Sequence, residues 1–167
     1  MVTRNWYNYF KATRVRKRIP DGVKLENGST TYAGWNSTVS SDAITHYCGN
    51  VQLSTSQAGV ILGSGSTPAT FDDYKLESQI TTGLSGTTVN SADEDYNRVS
   101  TITLTNTSGG SITIGEIGIR AFIYTGENSS SMSVALIERT VLDTPVTIEP
   151  GGVGQVTYTI SMNYPTE

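Results

Sequence analysis

The chain has one cysteine, Cys48, and one histidine, His46, in 167 residues. A single cysteine rules out an internal disulfide and any multi-cysteine zinc site, and Cys48 reads as a small apolar core residue. His46 and Cys48, spaced to share a strand face, lack the further ligands a metal would need. A single histidine without a nucleophile elbow or a motif-placed cysteine leaves little material for nucleophilic catalysis. No run of about 18 apolar residues is present, so no helical membrane span is expected. The first residues lack the apolar segment of a signal peptide, and the expected product stays in the cytoplasm until it is assembled or released.

Charge is also scarce: Asp, Glu, Lys and Arg make up 16% of the chain and apolar residues 36%. Hydroxyls are plentiful instead, with 19 Ser and 25 Thr, alongside 17 Gly. Threonine suits the exposed face of a strand and glycine suits turns, so an all-β class follows. The length fits one hydrophobic core. The expected architecture is an antiparallel β-sandwich, jelly-roll or immunoglobulin-like, preceded by an N-terminal arm or short helix.

The net charge of −4 divides unevenly, because residues 1 to 24 carry +6 and the remainder carries −10. This sets a basic, aromatic arm over residues 1–22 before a sandwich domain over 23–167. Its candidate partner-binding residues are Trp6, Tyr7, Tyr9, Phe10, Arg14, Arg16, Lys17 and Arg18. Trp6, Phe10 and Thr13 have helical spacing, and an extended arm fits equally well. Cations with aromatics suit nucleic acid, but the acidic body repels a polyanion, so direct nucleic-acid contact is not expected. Docking on a neighbouring protein, with aromatics as anchors and cations on acidic surface, is the functional reading. Folding back onto the chain's own sandwich is the alternative.

Val99 to Tyr124 alternates like a hairpin. Ile102 and Leu104 point one way, Thr101, Thr103 and Thr105 the other, and Asn106-Thr107-Ser108-Gly109-Gly110 reads as a tight turn whose glycines take positive φ. Ile112 and Ile114 continue in phase, but Ile117, Ile119, Ala121 and Ile123 are shifted by one, which predicts a bulge or kink at Gly115-Glu116. Asp21-Gly22 and Asn27-Gly28 read as two-residue turns flanking a short strand. Val60-Ile61-Leu62 reads as a buried strand, and Asp72 to Leu76 as at most one helical turn. Thr81 to Asn97 reads as polar and ends in the acidic run Asp93-Glu94-Asp95. Val134 to Leu142, apolar on both faces, is expected to be central or covered. Asp143-Thr144-Pro145 interrupts pairing, Glu149-Pro150-Gly151-Gly152 turns the chain, and the last strand alternates through Val156, Tyr158, Ile160 and Met162. Ile102, Leu104, Ile117, Ile119, Val156, Tyr158 and Ile160 are expected in one core.

No phosphate loop is present, since the glycine-rich segment after Leu62 has no Lys-Ser/Thr closure. Asp72, Asp73 and Glu77 lack the spaced oxygens of a calcium loop and read as solvated. No catalytic residue, metal site or cofactor is expected.

The string Val60 to Pro68, followed by Asp72 to Glu77, resembles a segment of small virion structural proteins of tailed bacteriophages. Leu104 to Gly110, Ile114 to Gly118, Leu136 to Val146 and Pro150 to Gly152 follow in an order similar to theirs. The resemblance covers residues 59 to 160 and implies a β-sandwich particle component, on head, neck or tail, that contacts other virion proteins and forms homo-oligomers. It carries over no catalytic residue. The alternative is a carbohydrate-binding or adhesive module with Tyr32, Trp35 and Tyr47 as its platform.

Overall fold

The computed structural model describes residues 1–15, 19–33, 58–92, 98–124 and 132–160. The elements are α1 (Arg4–Val15), β1 (Ile19–Lys24), β2 (Thr30–Ala33), β3 (Gly59–Gly63), β4 (Leu84–Ala92), β5 (Arg98–Asn106), β6 (Ile112–Tyr124), β7 (Met132–Ile148) and β8 (Val153–Ile160). They form an all-β, sandwich-like fold with a short N-terminal helix. One sheet has the order β3-β6-β7, the other β4-β5-β8, and β1-β2 is a separate hairpin; every pairing is antiparallel. No described helix is long and apolar enough to cross a membrane.

The expected hairpin over Val99 to Tyr124 is not one. β5 pairs with β4 and β8, while β6 pairs with β3 and β7, so the 107–111 connection crosses from one sheet to the other. Alternation had identified the faces correctly: Ile102 and Leu104 of β5 meet Ile114 of β6 in the core between the sheets, with Val60, Leu62, Leu84 and Ile148. Asn106, 1% exposed, holds the corner. Its Nδ2 donates to the carbonyls of Gly110 and Ile148, both at 2.8 Å, and its Oδ1 accepts from the Ser108 amide at 2.9 Å. Neither Gly109 nor Gly110 has a positive φ.

The register break lies where the alternation slipped. Ile114 pairs with Val146 and Glu116 with Val141, so Gly115 faces the four residues Leu142 to Pro145 of β7. A second shift follows between Ile119 and Arg120. These shifts divide the expected single core. Ile117 and Val156 pack with Ile102 and Leu104, whereas Ile119 and Tyr158 belong with Tyr9, Val23, Ala33, Ala121, Ile123, Ala135 and Ile137 under α1 and the β1-β2 hairpin. The Ile160 side chain lies outside the described residues.

Two turn readings part ways. Asn27-Gly28 does join β1 to β2, with Gly28 at φ 87° and the Ser29 amide donating to Asn27 Oδ1. Asp21-Gly22 instead lies inside β1, at a register shift between Ile19 and Val23, with Asp21 at φ 51°. The polar stretch after Thr81 carries β4, which its low apolar content concealed. β7 is covered rather than central. Val2 bridges to Glu138, the Thr3 amide donates to the Ile137 carbonyl at 2.9 Å, and the Arg139 amide donates to the Met1 carbonyl at 3.0 Å.

Candidate interaction face

Residues 64–79 leave β3, cross the outer face of the β3-β6-β7 sheet and return beside β3, where Gln79 bridges to Gly63. On that face β6 presents Glu116, Gly118 and Arg120, and β7 presents Leu136 and Arg139, all buried. Leu76 caps Ile61 and Leu136 in a small apolar cluster. Around it the contacts are ionic.

Glu116, with no exposed surface, is the centre. Its Oε1 accepts from the amides of Gly65 at 3.2 Å and Ser78 at 2.8 Å, and its Oε2 from the Glu77 amide at 3.1 Å and Arg139 Nε at 2.7 Å. Arg139 in turn donates through Nη1 to Asp73 at 2.9 Å and through Nη2 to the Thr67 carbonyl at 3.0 Å. Asp73 accepts from the Thr70 amide and hydroxyl, and Glu77 from the amides of Ser66 and Thr67 and the Thr67 hydroxyl. Arg120, also fully buried, holds Glu26 of the β1-β2 turn at 2.8 Å and Gln79 at 2.5 Å. A buried charge is tolerated when it is paired and its remaining hydrogen-bonding capacity is met. The loop is therefore stapled to the sheet at both ends.

The depression beside this staple, about 230 Å³, is lined by Thr67, Asp73, Tyr74, Glu77 and Arg139 among others. Its carboxylates are already engaged. Burial pushes the Asp73 carboxyl up, but hydrogen bonds from Thr70 and the Arg139 guanidinium more than offset this and hold it below the usual range. The Thr67 amide and hydroxyl lower Glu77 in the same sense. Both groups therefore contribute stability that is complete above the unfolded-chain value of about 4 and is lost as pH falls through their lower folded values. The melting temperature is accordingly expected to be level from neutral pH down to about 5 and to fall below about 4. Calorimetry on Glu77→Gln is expected to show a shallower fall; an unchanged slope would remove Glu77 from the staple.

The N-terminal segment adds the second half of the face. Thr3 opens α1, its carbonyl accepting from the Tyr7 amide while its hydroxyl donates to Leu136. Asn5 and Asn8, one turn apart, bond the backbone of β1 at Lys24 and Gly22. Tyr9, 5% exposed, and Trp6, half-buried, pack inward on β1, β2 and β6, their ring centroids 6.0 Å apart. The boundary expected after residue 22 falls within β1, and the helix lies on its own sheets. Tyr7 is different, at 54% exposed. Its ring meets Phe71, 38% exposed, edge to face at 6.0 Å. Arg4 lies over Phe71 at 4.7 Å, donates its amide to the Phe71 carbonyl and pairs its guanidinium with Asp72. Lys24 sits 3.9 Å above the Tyr74 ring, and Lys75 lies at 5.9 Å from it. Arg4 stands in the positive first turn of α1, an unfavourable place for a cation that Asp72 and Phe71 offset.

Of the partner-binding candidates, Tyr7 is thus outward and Trp6 and Tyr9 inward. Phe10 and Arg14 lie in α1, and Arg16, Lys17, Arg18, His46 and Cys48 lie outside the described residues, as do Trp35, Tyr47 and Asp93 to Asp95. Phe71, Tyr74, Lys24 and Lys75 join the face without having been expected there. No spacing rule connects α1 to a loop so distant in the chain; only the fold brings them together.

No group of His, Cys, Asp or Glu among the described residues is arranged to hold a metal ion. Neither a protein-family model, nor a curated protein, nor a solved structure matches the chain.

Proposed function

We propose that the protein is a non-enzymatic structural component of a tailed-bacteriophage particle, joined to neighbouring virion subunits through the α1 and 64–79 face and through its sheet edges. One observation carries the reading. Tyr7 of α1 and Phe71 of the 64–79 loop are held outward, ring against ring, the loop anchored from beneath by Glu116, Arg139 and Asp73. Aromatic and arginine side chains on a pre-ordered surface supply most of the energy of typical protein interfaces, because little entropy remains to be lost on binding. Arg4, Lys24 and Lys75 edge this face, Arg4 paired with Asp72, and the −10 carried beyond residue 24 gives a second copy of the chain an acidic complement. The order of motifs from Gly59 onward supplies the virion context.

Mass spectrometry of purified particles is expected to find the protein at a fixed copy number, which separates a lattice component from a ring; its absence would overturn the reading. Tyr7→Ser combined with Phe71→Ser is expected to weaken incorporation by about 30-fold or more, since an interface anchor is worth about 2 kcal/mol or more. Both residues are surface-exposed, so circular dichroism should stay unchanged. The carbohydrate-binding alternative predicts instead a glycan-array signal that depends on Tyr32, Trp35 and Tyr47 and survives in that variant.

A further inference from the structure

Residues 64–79 lie across the β3-β6-β7 sheet as a strap, and charge holds most of that strap down. Leu76 supplies its buried apolar contact, on Ile61 and Leu136. The remaining hold is drawn from four elements. Arg139 of β7, 4% exposed, reaches Glu116 of β6 at 2.7 Å and two carboxylates of the strap itself, Asp73 at 2.9 Å and Glu77 at 3.6 Å. Arg4 of α1 pairs with Asp72. Arg120 of β6 holds Gln79 at the end of the strap together with Glu26, while Lys24 of β1 and the strap's own Lys75 flank the Tyr74 ring. The core between the two sheets is of another kind: among the described residues it is aliphatic, from Val60 and Leu62 to Ile102 and Leu104.

Acid acts on these two kinds of contact unequally. A guanidinium keeps its proton throughout the acid range, so once its carboxylates are protonated Arg139 remains a cation with nothing to balance it. A buried charge without a counter-charge has to reach water. The groups over its two Nη atoms, the Asp73 carboxylate and the Thr67 carbonyl, both belong to the strap. Lifting the strap is therefore the movement that hydrates Arg139.

We propose that the strap is an acid-opened element: protonation of Glu116, Asp73 and Glu77 detaches residues 64–79 from the β3-β6-β7 sheet while the two sheets stay folded. Opening uncovers Ile61 and Leu136 and parts Phe71 from Tyr7, whose helix is held separately by Asn5, Asn8 and Tyr9. The closed strap keeps the Asp73 and Glu77 carboxyls low, and the hydrogen bond from Arg4 lowers that of Asp72. A closed form with lowered carboxyls binds fewer protons than the open one, so its hold is complete at neutral pH and is lost as pH falls below about 4. The device belongs to the chain alone and operates whether or not the Tyr7 and Phe71 face takes a partner.

Two-dimensional amide NMR on the full chain, from about pH 7 to about pH 2.5, tests this. The Gly65, Glu77 and Ser78 amides, which donate to Glu116, are expected to lose their native shifts together at a midpoint below about pH 4, while those of Thr103 and Leu104 in β5 keep theirs. Asp73→Asn, at a partly exposed position, leaves Arg139 with fewer carboxylates and is expected to raise the midpoint by about half a pH unit or more. Arg139→Met removes the cation and leaves Glu116 as the buried titratable group, which burial favours in its neutral form. The strap of that variant is expected to stay closed at the acid end. Strap and β5 signals lost at one midpoint, a wild-type strap that keeps its native shifts throughout, or an Arg139→Met strap that opens as the wild type does would overturn the proposal.

Discussion

Glu116→Ala is expected to lower the melting temperature by about 10 °C, the largest effect of any single substitution proposed for this chain. Three backbone amides, of Gly65, Glu77 and Ser78, and the Arg139 guanidinium all end on this one buried carboxylate. Removing it takes the acceptor from those amides and one of the two carboxylates hydrogen-bonded to a cation that is 4% exposed. Breaking a buried pair from one side costs about 3–5 kcal/mol, and a chain of this length loses about 2–4 °C per kcal/mol. Glu116→Gln keeps both polar atoms and is expected to fall less. Differential scanning calorimetry decides; a shift within about 2 °C for alanine would mean that the 64–79 loop is held by Leu76, Arg120 and Arg139 without Glu116. The same variant should lose partner binding at Tyr7 and Phe71, because Phe71 is carried on the loop that Glu116 anchors.

The second large effect is steric. A Cβ at Gly115 would lie 2.7 Å from the Gly65 carbonyl oxygen and 3.3 Å from that of Ser64. Both are backbone atoms, so neither can rotate away. Gly115→Ala therefore has to move the start of the loop off β6, at a cost of about 1–3 kcal/mol and a melting temperature lower by about 5 °C. Gly109→Ala is the matched control, since a Cβ there meets nothing within 4 Å. That variant is expected to be neutral or slightly stabilising, through a less flexible unfolded chain. Equal melting temperatures for the two would show that the loop does not press on the bulge.

Gly115 also shows how far the chain could be read without coordinates. The phase slip from Ile114 to Ile117 marked the bulge, because each strand residue must face one side or the other and a slip is visible in the apolar pattern. The same slip placed Glu116 on the face opposite Ile117, but not beneath a loop. Its burial depends on residues 64–79, whose Asp72, Asp73 and Glu77 look solvated by composition and become the partners of Arg4, Thr70, Thr67 and Arg139 only once folded. Of the aromatic arm, the helical spacing of Trp6 was informative; which rings turn inward was decided by Asn5 and Asn8 fastening α1 to β1.

By itself the sequence determined that the chain is β, which faces of β5, β6 and β8 are apolar and where β6 changes register. Alternation, turn residues and composition are local quantities, and each of these properties is local. Tertiary structure alone decided that β5 and β6 part into different sheets, that Glu116 and Arg139 lie inside and that Tyr7 meets Phe71. The reason is physical: a period of two states which side of a strand is buried and says nothing of which strand lies beside it. That choice is made by the fit of whole apolar faces and by buried charges finding their partners across the fold.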